Sequence, residues 1–309
     1  MRILTLGAGA IGGYYSARLL EAGADVTFLV REKRRSQLEA SGLTIESPDG
    51  DYTAKVKTVT SGEVRPDYDL VLLTCKAYDL EPAIAAIAPA MGPRTALLPL
   101  LNGVAHMPRL NAQFGTGRVL GGLAKIVVSL SPEGVIKHLN DWRYITFGEQ
   151  DGAMSERVLE LKAAFERTPV VARAVPDIMQ HMWEKLVHLA TVAGMACLMR
   201  ASVGEIARTS EGSTLMVEFL ESNARIAAAA GYAPPESFLA DYRKLFADTT
   251  SPYVPSMLRD LERKGPIEAD HILRFMLEHA RKHGIADTLH RIVITHTEAY
   301  EQRRAEGRL

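Results

Sequence analysis

The stretch Gly7-Ala8-Gly9-Ala10-Ile11-Gly12 constrains this chain more than any other. It follows a compact apolar run, Ile3–Leu6, and opens a stretch of helical pattern, Ile11–Ala22, that ends at Gly23. A GxGxxG is short, and alone it is a weak signal. Between a strand and a helix each glycine has a physical purpose. The first permits the tight turn, the second lets a pyrophosphate approach the backbone, and the third lets helix and strand pack closely. The helix N-terminus then offers free N–H groups and a positive dipole end to the phosphates. A glycine-rich turn with no ligand would explain the six residues but not the strand–turn–helix–strand frame around them. Gly7, Ala8, Gly9, Ala10, Ile11 and Gly12 are therefore candidate cofactor-binding residues.

That frame continues. Val26–Val30, Tyr68–Thr74 and Thr95–Leu100 are further apolar runs, and Glu81–Ala90 reads as helix. Continuous apolar runs suit strands buried on both faces, and alternation with helices indicates a parallel sheet. From Leu120 the texture changes. Lys125–Leu130, a turn at Ser131-Pro132-Glu133-Gly134, Val135–His138 and Tyr144–Phe147 read as antiparallel strands that extend the sheet edge. After Pro169 and Pro176 the pattern is helical. Asp177–Arg200 is long and apolar on most faces, Thr214–Ala230 stops at Gly231, and Ala269–His283 and Ala286–Arg304 follow. A length of 309 residues suggests two domains. The expectation is an α/β Rossmann-type N-terminal domain over residues 1–175 and an all-helical C-terminal domain over residues 176–309.

The second strand ends at Leu29-Val30-Arg31. A domain specific for NAD normally carries Asp or Glu there, to bond the ribose 2′-hydroxyl. A guanidinium instead pairs with a 2′-phosphate, which a carboxylate would repel. Arg31, followed by Lys33, Arg34 and Arg35, points to NADPH. A solvated basic helix start also accounts for residues 33–35, and Glu32 could stand in for the acidic residue. The net charge of −1 gives no global attraction to nucleic acid, and the basic cluster is short and lacks interleaved aromatics. The N-terminus turns glycine-rich too soon for a signal peptide, and no apolar run approaches the roughly 20 residues that span a bilayer. The two cysteines, Cys75 and Cys197, read as buried free thiols of a reducing compartment. The nine histidines show no ligand-spaced pairing with cysteines, so no metal is expected. The location expected is cytoplasmic.

At this point the sequence resembles the ketopantoate reductases (2-dehydropantoate 2-reductases) over nearly its whole length. The resemblance rests on the glycine motif with Arg31, then Thr74-Cys75-Lys76-Ala77 and Leu101-Asn102-Gly103 after strands. It continues through Pro132-Glu133-Gly134 before His138, and Trp183-Glu184-Lys185-Leu186. It closes with Ser256-Met257-Leu258-Arg259-Asp260 and Ile267-Glu268-Ala269-Asp270. Each motif is weak, while their order and spacing together are strong. The resemblance implies a Rossmann domain followed by a helical bundle. The activity it implies is NADPH-dependent reduction of the C2 ketone of a 2-oxo acid, on the way to pantothenate and coenzyme A.

It also implies roles. Lys185 stands out on a long apolar helix. Reduction of a ketone leaves an alkoxide, and an ammonium can polarise the carbonyl and then donate a proton. A snorkelling lysine is the alternative. Glu268 matches an acidic residue that orients the lysine or bonds the cofactor ribose, and a carboxylate favoured by a helix dipole is the alternative. Ser256 matches a serine that bonds the substrate carboxylate, and a helix N-cap is the other reading. Lys76 and Asn102 lie past strand ends, where open α/β sheets bind ligands. By resemblance Lys76 meets the cofactor and Asn102 bridges cofactor and substrate. The backbone near Val127 lines the nicotinamide. A surface lysine and a turn Asn-Gly are the bland readings of Lys76 and Asn102.

The match fails in one place. The family usually carries asparagines four and eight residues after the helix lysine, on one helix face with it. Here those positions are Leu189 and Ala193, a further polar position is Val203, and Tyr253 stands where some members have another asparagine. An apolar pocket cannot repay the desolvation of a substrate hydroxyl. His188 could replace a lost donor, or it packs in the core. Two alternatives follow. One is a reductase of the same fold acting on a more apolar 2-oxo acid or ketone. The other is a non-catalytic NADP(H) sensor, which needs the glycine motif but not Lys185, Ser256 and Glu268 together. The partner expected is a small 2-oxo acid, with a homodimer left open and neither nucleic acid nor a membrane involved.

Overall fold

The apolar runs become parallel strands. The structure, a computed structural model, describes residues 1–309. It divides into two compact units, Met1–Leu101 with His106–Ile178, and Asn102–Ala105 with Met179–Leu309. The division falls at Ile178, inside the first turn of a helix, and the short segment after Leu101 belongs with the helical unit. A single cut near residue 175 does not describe this.

The first unit opens with β1 (Arg2–Leu6), α1 (Ala10–Glu21), β2 (Asp25–Leu29), α2 (Glu32–Ser41), β3 (Leu43–Glu46), β4 (Tyr52–Ala54), β5 (Lys57–Val59) and β6 (Leu70–Leu73). It continues with α3 (Leu80–Ile87), β7 (Ala96–Pro99), α4 (His106–Phe114), β8 (Gly121–Leu130), β9 (Ile136–Gly148), α5 (Glu156–Phe165) and β10 (Val171–Ala174). One sheet runs β5-β2-β1-β6-β7, all parallel. Its order reverses between β1 and β6, the kind of point at which open α/β sheets bind ligands. Leu70 to Leu73 are all buried, as a strand covered on both faces requires.

The strands after residue 120 do not extend that sheet. They form a second one, β10-β9-β3-β4, with β8 antiparallel to β9. The reason is visible in α1. Gly12 faces the first sheet, where a Cβ would collide with Thr74 Oγ1, and Gly13 faces the second, where one would collide with Ile136 Cδ1. The helix is thus packed on two sides, and Tyr14, Tyr15, Ala17 and Leu19 have no exposed surface. Tyr15 donates its hydroxyl to the Tyr144 carbonyl of β9 at 2.7 Å. His138 fixes β9 further, its Nε2 donating to the Trp142 carbonyl at 2.8 Å and its Nδ1 lying 2.9 Å from Ser47 Oγ.

The helical unit contains most of α6 (Ile178–Met199), then α7 (Val203–Ala207), α8 (Gly212–Ala229), α9 (Glu236–Ala247), α10 (Ser256–Glu262), α11 (Phe275–Lys282) and α12 (Thr288–Ala305). The stretch before α11 is a π-turn, Asp270–Arg274, rather than continuous α-helix from Ala269. The long apolar helix is central: Leu186, Val187, Ala190, Val192, Met195 and Ala196 have no exposed surface. Gly194 lets α8 and α12 close on it, since a Cβ there would stand 2.7 Å from Phe219 and 3.2 Å from Val293. A buried polar chain also joins these helices. His290 Nε2 donates to Asn223 Oδ1, Asn223 Nδ2 donates to Thr191 Oγ1, and Thr191 donates to the Val187 carbonyl. No helix is long and apolar enough to cross a membrane.

Candidate active site

In the first unit the glycine loop is a backbone cradle. Gly7 has φ +82° and its N–H is tied to the Leu29 carbonyl at 2.8 Å. A Cβ added at Gly7 or Gly9 would meet nothing within 4 Å, so both glycines border open space. Gly9 is the N-cap of α1 and offers no side-chain cap, which leaves the first N–H groups of the helix for another acceptor. Ala8 is buried, while Ala10 and Ile11 are part-exposed. Close packing at Gly12 brings Thr74 against the loop, and Thr74 Oγ1 donates to the Leu6 carbonyl at 3.3 Å. Lys76 follows at the N-cap of a single 3₁₀ turn, half-buried. Open space, unpaired helix N–H groups and neighbouring cations fit a dinucleotide's pyrophosphate.

The basic cluster separates into different tasks. Arg31 is exposed and caps α2 with an extended backbone, its carbonyl accepting from the Arg34 and Arg35 N–H groups while its guanidinium enters no hydrogen bond or ion pair. Arg34 is committed to the fold. Its Nε and Nη2 donate to the Ala8 carbonyl at 3.2 and 3.0 Å, and Nη2 donates to the Gly134 carbonyl at 3.1 Å. Gly134 has φ +91°, and a Cβ there would collide with Arg34, so the Pro132-Glu133-Gly134 turn makes room for this guanidinium. Arg35 is paired with Glu63 at 2.9 Å. The sequence showed four basic positions but not which of them were already engaged, because their partners lie far away in the chain.

Val127 lies at a β-bulge in β8, where the register shifts between Ile126 and Val128. Its N–H donates to Asn140 Oδ1 at 3.2 Å, so its carbonyl is the main-chain group it could offer a ligand. Cys75 is only part-buried, contrary to the expectation of two buried thiols. Cys197 is buried, and desolvation pushes its thiol up to about 12.

In the helical unit Lys185 is half-buried on α6, and its Nζ donates to Asn102 Oδ1 at 3.0 Å. Glu268 is 8% exposed and stands just before the π-turn. His271, within that turn, feels the Glu268 charge and hydrogen-bonds to the Asn102 main chain. No sequence pattern singled out His271, because its partner lies in a different segment. Ser256 is the first residue of α10, not its N-cap: Pro255 occupies that position. Its half-buried hydroxyl makes no capping bond.

The four positions that lack the family's polar side chains behave unequally. Ala193 and Val203 are buried at 2% and 0% exposure, packed within the unit. Only Leu189 and Tyr253 keep partial exposure. His188 is neither a bare donor nor simple core. Its Nε2 lies 3.0 Å from the Tyr253 hydroxyl, and its ring stacks on Tyr242 at 4.3 Å and parallels Phe246 and Tyr253. Burial pushes the Tyr253 phenol well above the ordinary tyrosine range and Tyr242 up to about 12, so both stay neutral donors.

Comparison with known proteins identifies the family. Residues 3–152 match the ketopantoate reductase PanE/ApbA family and residues 177–301 match its C-terminal counterpart. An uncharacterised oxidoreductase of Bacillus subtilis, YkpB, is 31% identical over 97% of this chain and 99% of its own length. A 2-dehydropantoate 2-reductase of Mesorhizobium japonicum is 30% identical, covering 91% of this chain and 92% of its own. The crystal structure of 2-dehydropantoate 2-reductase from Methylococcus capsulatus superposes with a TM-score of 0.89 at 29% identity, over 99% of this chain and 98% of that one. With both halves matched in order and its full-length relatives aligned throughout, this chain belongs to the ketopantoate reductase PanE/ApbA family and is an oxidoreductase of that family.

Proposed function

We propose that this chain reduces the C2 ketone of a 2-oxo acid, ketopantoate to pantoate, with NADPH as reductant. The observation that carries the reading is the Lys185 ammonium held by a neutral amide, Asn102 Oδ1, at 3.0 Å. An amide accepts a hydrogen bond without neutralising the charge of the ammonium that donates it. Negative charge developing on the substrate carbonyl oxygen is stabilised by the ammonium, which then donates the proton. Ser256 offers its hydroxyl to the substrate carboxylate. Glu268 orients the lysine or bonds the nucleotide ribose. The nicotinamide nucleotide, when bound, supplies the hydride. Gly7 to Gly12 would hold its pyrophosphate, Lys76, Asn102 and the Val127 backbone would contact it, and the unengaged Arg31 would take a 2′-phosphate. The 30% identity to a protein named as a 2-dehydropantoate 2-reductase supports the same direction. This reading places the enzyme in pantothenate formation in the cytoplasm.

A second substrate class is favoured by a specific observation. Where the family carries asparagines, this chain has Leu189 and Tyr253, and Tyr253 belongs to a ring cluster with His188, which also stacks with Tyr242 and Phe246. An aliphatic and an aromatic side chain at those positions suit a 2-oxo acid with a branched or aromatic tail. The test is NADPH oxidation, followed by absorbance, over ketopantoate and a panel of branched and aromatic 2-oxo acids. Turnover of ketopantoate within about tenfold of the best substrate supports the first reading. An apolar substrate ahead by more than about a hundredfold supports the second. NADPH that binds but is oxidised by no member of the panel would count against both.

A further inference from the structure

Asn102 holds the lysine, yet it lies on an irregular connection and not on a helix or strand. A side chain that positions another must itself be held. The structure shows what holds it. Gly103 has φ +80°, and a Cβ at that position would stand 3.2 Å from His271 Cδ2 and 3.5 Å from its Nε2. The imidazole therefore packs directly on the backbone that carries Asn102. The same ring hydrogen-bonds to the Asn102 main chain, so an imidazole N–H donates to that carbonyl. Burial holds His271 below the ordinary histidine range, against the opposing pull of Glu268, and the ring stays neutral with one N–H to donate. The π-turn Asp270–Arg274 sets this ring. Such turns insert a residue into a helix and re-aim its side chains.

We propose that His271 is a positioning residue: by anchoring the Asn102 main chain it fixes the amide oxygen that accepts from Lys185, and with it the direction of the ammonium. No role assigned above uses this histidine. Its kinetic consequence rests on Lys185 being the acid of the reduction, whereas the positioning itself does not.

The test therefore reads the lysine directly. Lys185 is labelled with acetic anhydride in the protein free of nucleotide, with the exposed Lys162 as internal reference, and the peptides are quantified by mass spectrometry. His271→Phe and His271→Leu remove the donor, while His271→Gln retains one. The expected result is a rise in Lys185 labelling of roughly three- to tenfold for both apolar substitutions, as for one lost hydrogen bond. His271→Gln should stay within about twofold of the natural protein. With a competent substrate, kcat should fall in the same order while KM changes little. A histidine that only fills space would lower stability in all three and leave Lys185 labelling unchanged, and that result overturns the proposal. If no 2-oxo acid is reduced by the natural protein, the proposed function fails while the labelling still decides the positioning. Should the apolar substitutions not fold, nitrogen NMR of the natural protein decides. A His271 ring N–H protected from exchange with water supports the anchor, and a ring averaging freely between tautomers excludes it.

Discussion

The glycine loop of the first unit and the lysine cluster of the second are built from different materials. The loop uses backbone: Gly7, Gly9 and Gly12 matter for the side chains they lack, and the groups they present are N–H donors. The cluster uses side chains from three stretches, with Lys185 and Asn102 separated by 83 positions. A backbone cradle needs certain residues at certain local spacings. A side-chain cluster needs only that distant segments meet. The first is robust to most substitutions around it and intolerant at the glycines, while the second can fail through any residue that holds another.

The largest expected effect tests whether the two regions are separable. Lys185→Ala should lower kcat by roughly 10²–10⁴-fold, the usual contribution of general acid help. Affinity for NADPH, measured by fluorescence titration, should stay within about twofold, because no backbone group of the loop is altered. Near-normal turnover would make Lys185 a structural lysine and remove the contrast.

Next in size is a stability effect confined to the helical unit. His290 donates through Nε2 to Asn223 Oδ1, while its Nδ1 is buried and has no partner. A proton added to Nδ1 would face no acceptor. Burial accordingly lowers the His290 pKa from 6.5 to about 4. The folded state therefore binds this proton less readily than the unfolded chain. Its contribution is fully present above pH 6.5 and is lost as the pH falls through about 4. The loss at full protonation is on the order of 3 kcal/mol. Denaturant melts between pH 7 and 4 should show it, and His290→Gln should flatten that part of the profile. Equal pH dependence in both proteins would locate the acid lability elsewhere.

How much of this was legible in the sequence follows the same division. Strand, glycines, helix and the Arg31 position are a local pattern, and they could be read in order from Ile3 to Arg31. Lys185 was visible because a lysine is conspicuous on an apolar helix. Strands β3, β4 and β5 were not, being only four, three and three residues long. The second sheet was taken for an edge of the first because α1, which separates them, shows no sign in sequence of being buried on both sides. Arg34 and His271 escaped notice for one reason: their partners, the Ala8 and Asn102 main chains, have no side-chain signature. Ala193 was expected on the pocket wall from the resemblance and from helical spacing, whereas the structure leaves it almost fully buried.

Two arginines sharpen the contrast within the loop region. Arg31→Ala should weaken NADPH by about tenfold or more, near 1.4 kcal/mol, and leave NADH unchanged, because only the 2′-phosphate is involved. Arg34→Ala should weaken both nucleotides by a similar factor, since the guanidinium holds the Ala8 carbonyl of the cradle. Paired titrations with the two cofactors separate these outcomes. An Arg34→Ala protein that loses NADPH alone would mean that Arg34, and not Arg31, reads the phosphate.

The smallest expected effect concerns the substrate, and the structure alters which residue should be changed. Ala193 is buried, so asparagine there would bring an amide into the packed interior and confound specificity with stability. Leu189, part-exposed one turn beyond Lys185, can be changed alone. Leu189→Asn gives a substrate hydroxyl a partner and takes apolar surface from a branched tail. The two effects together are worth roughly 1.4 kcal/mol. The ratio of kcat/KM for ketopantoate to that for an aromatic 2-oxo acid should therefore rise by roughly tenfold, with Tm nearly unchanged. His188 and Tyr253 already bond each other, so neither freely replaces the missing amide. If the ratio does not move, the substrate tail does not reach Leu189, and the ring cluster of His188, Tyr242 and Tyr253 is packing and not a specificity element.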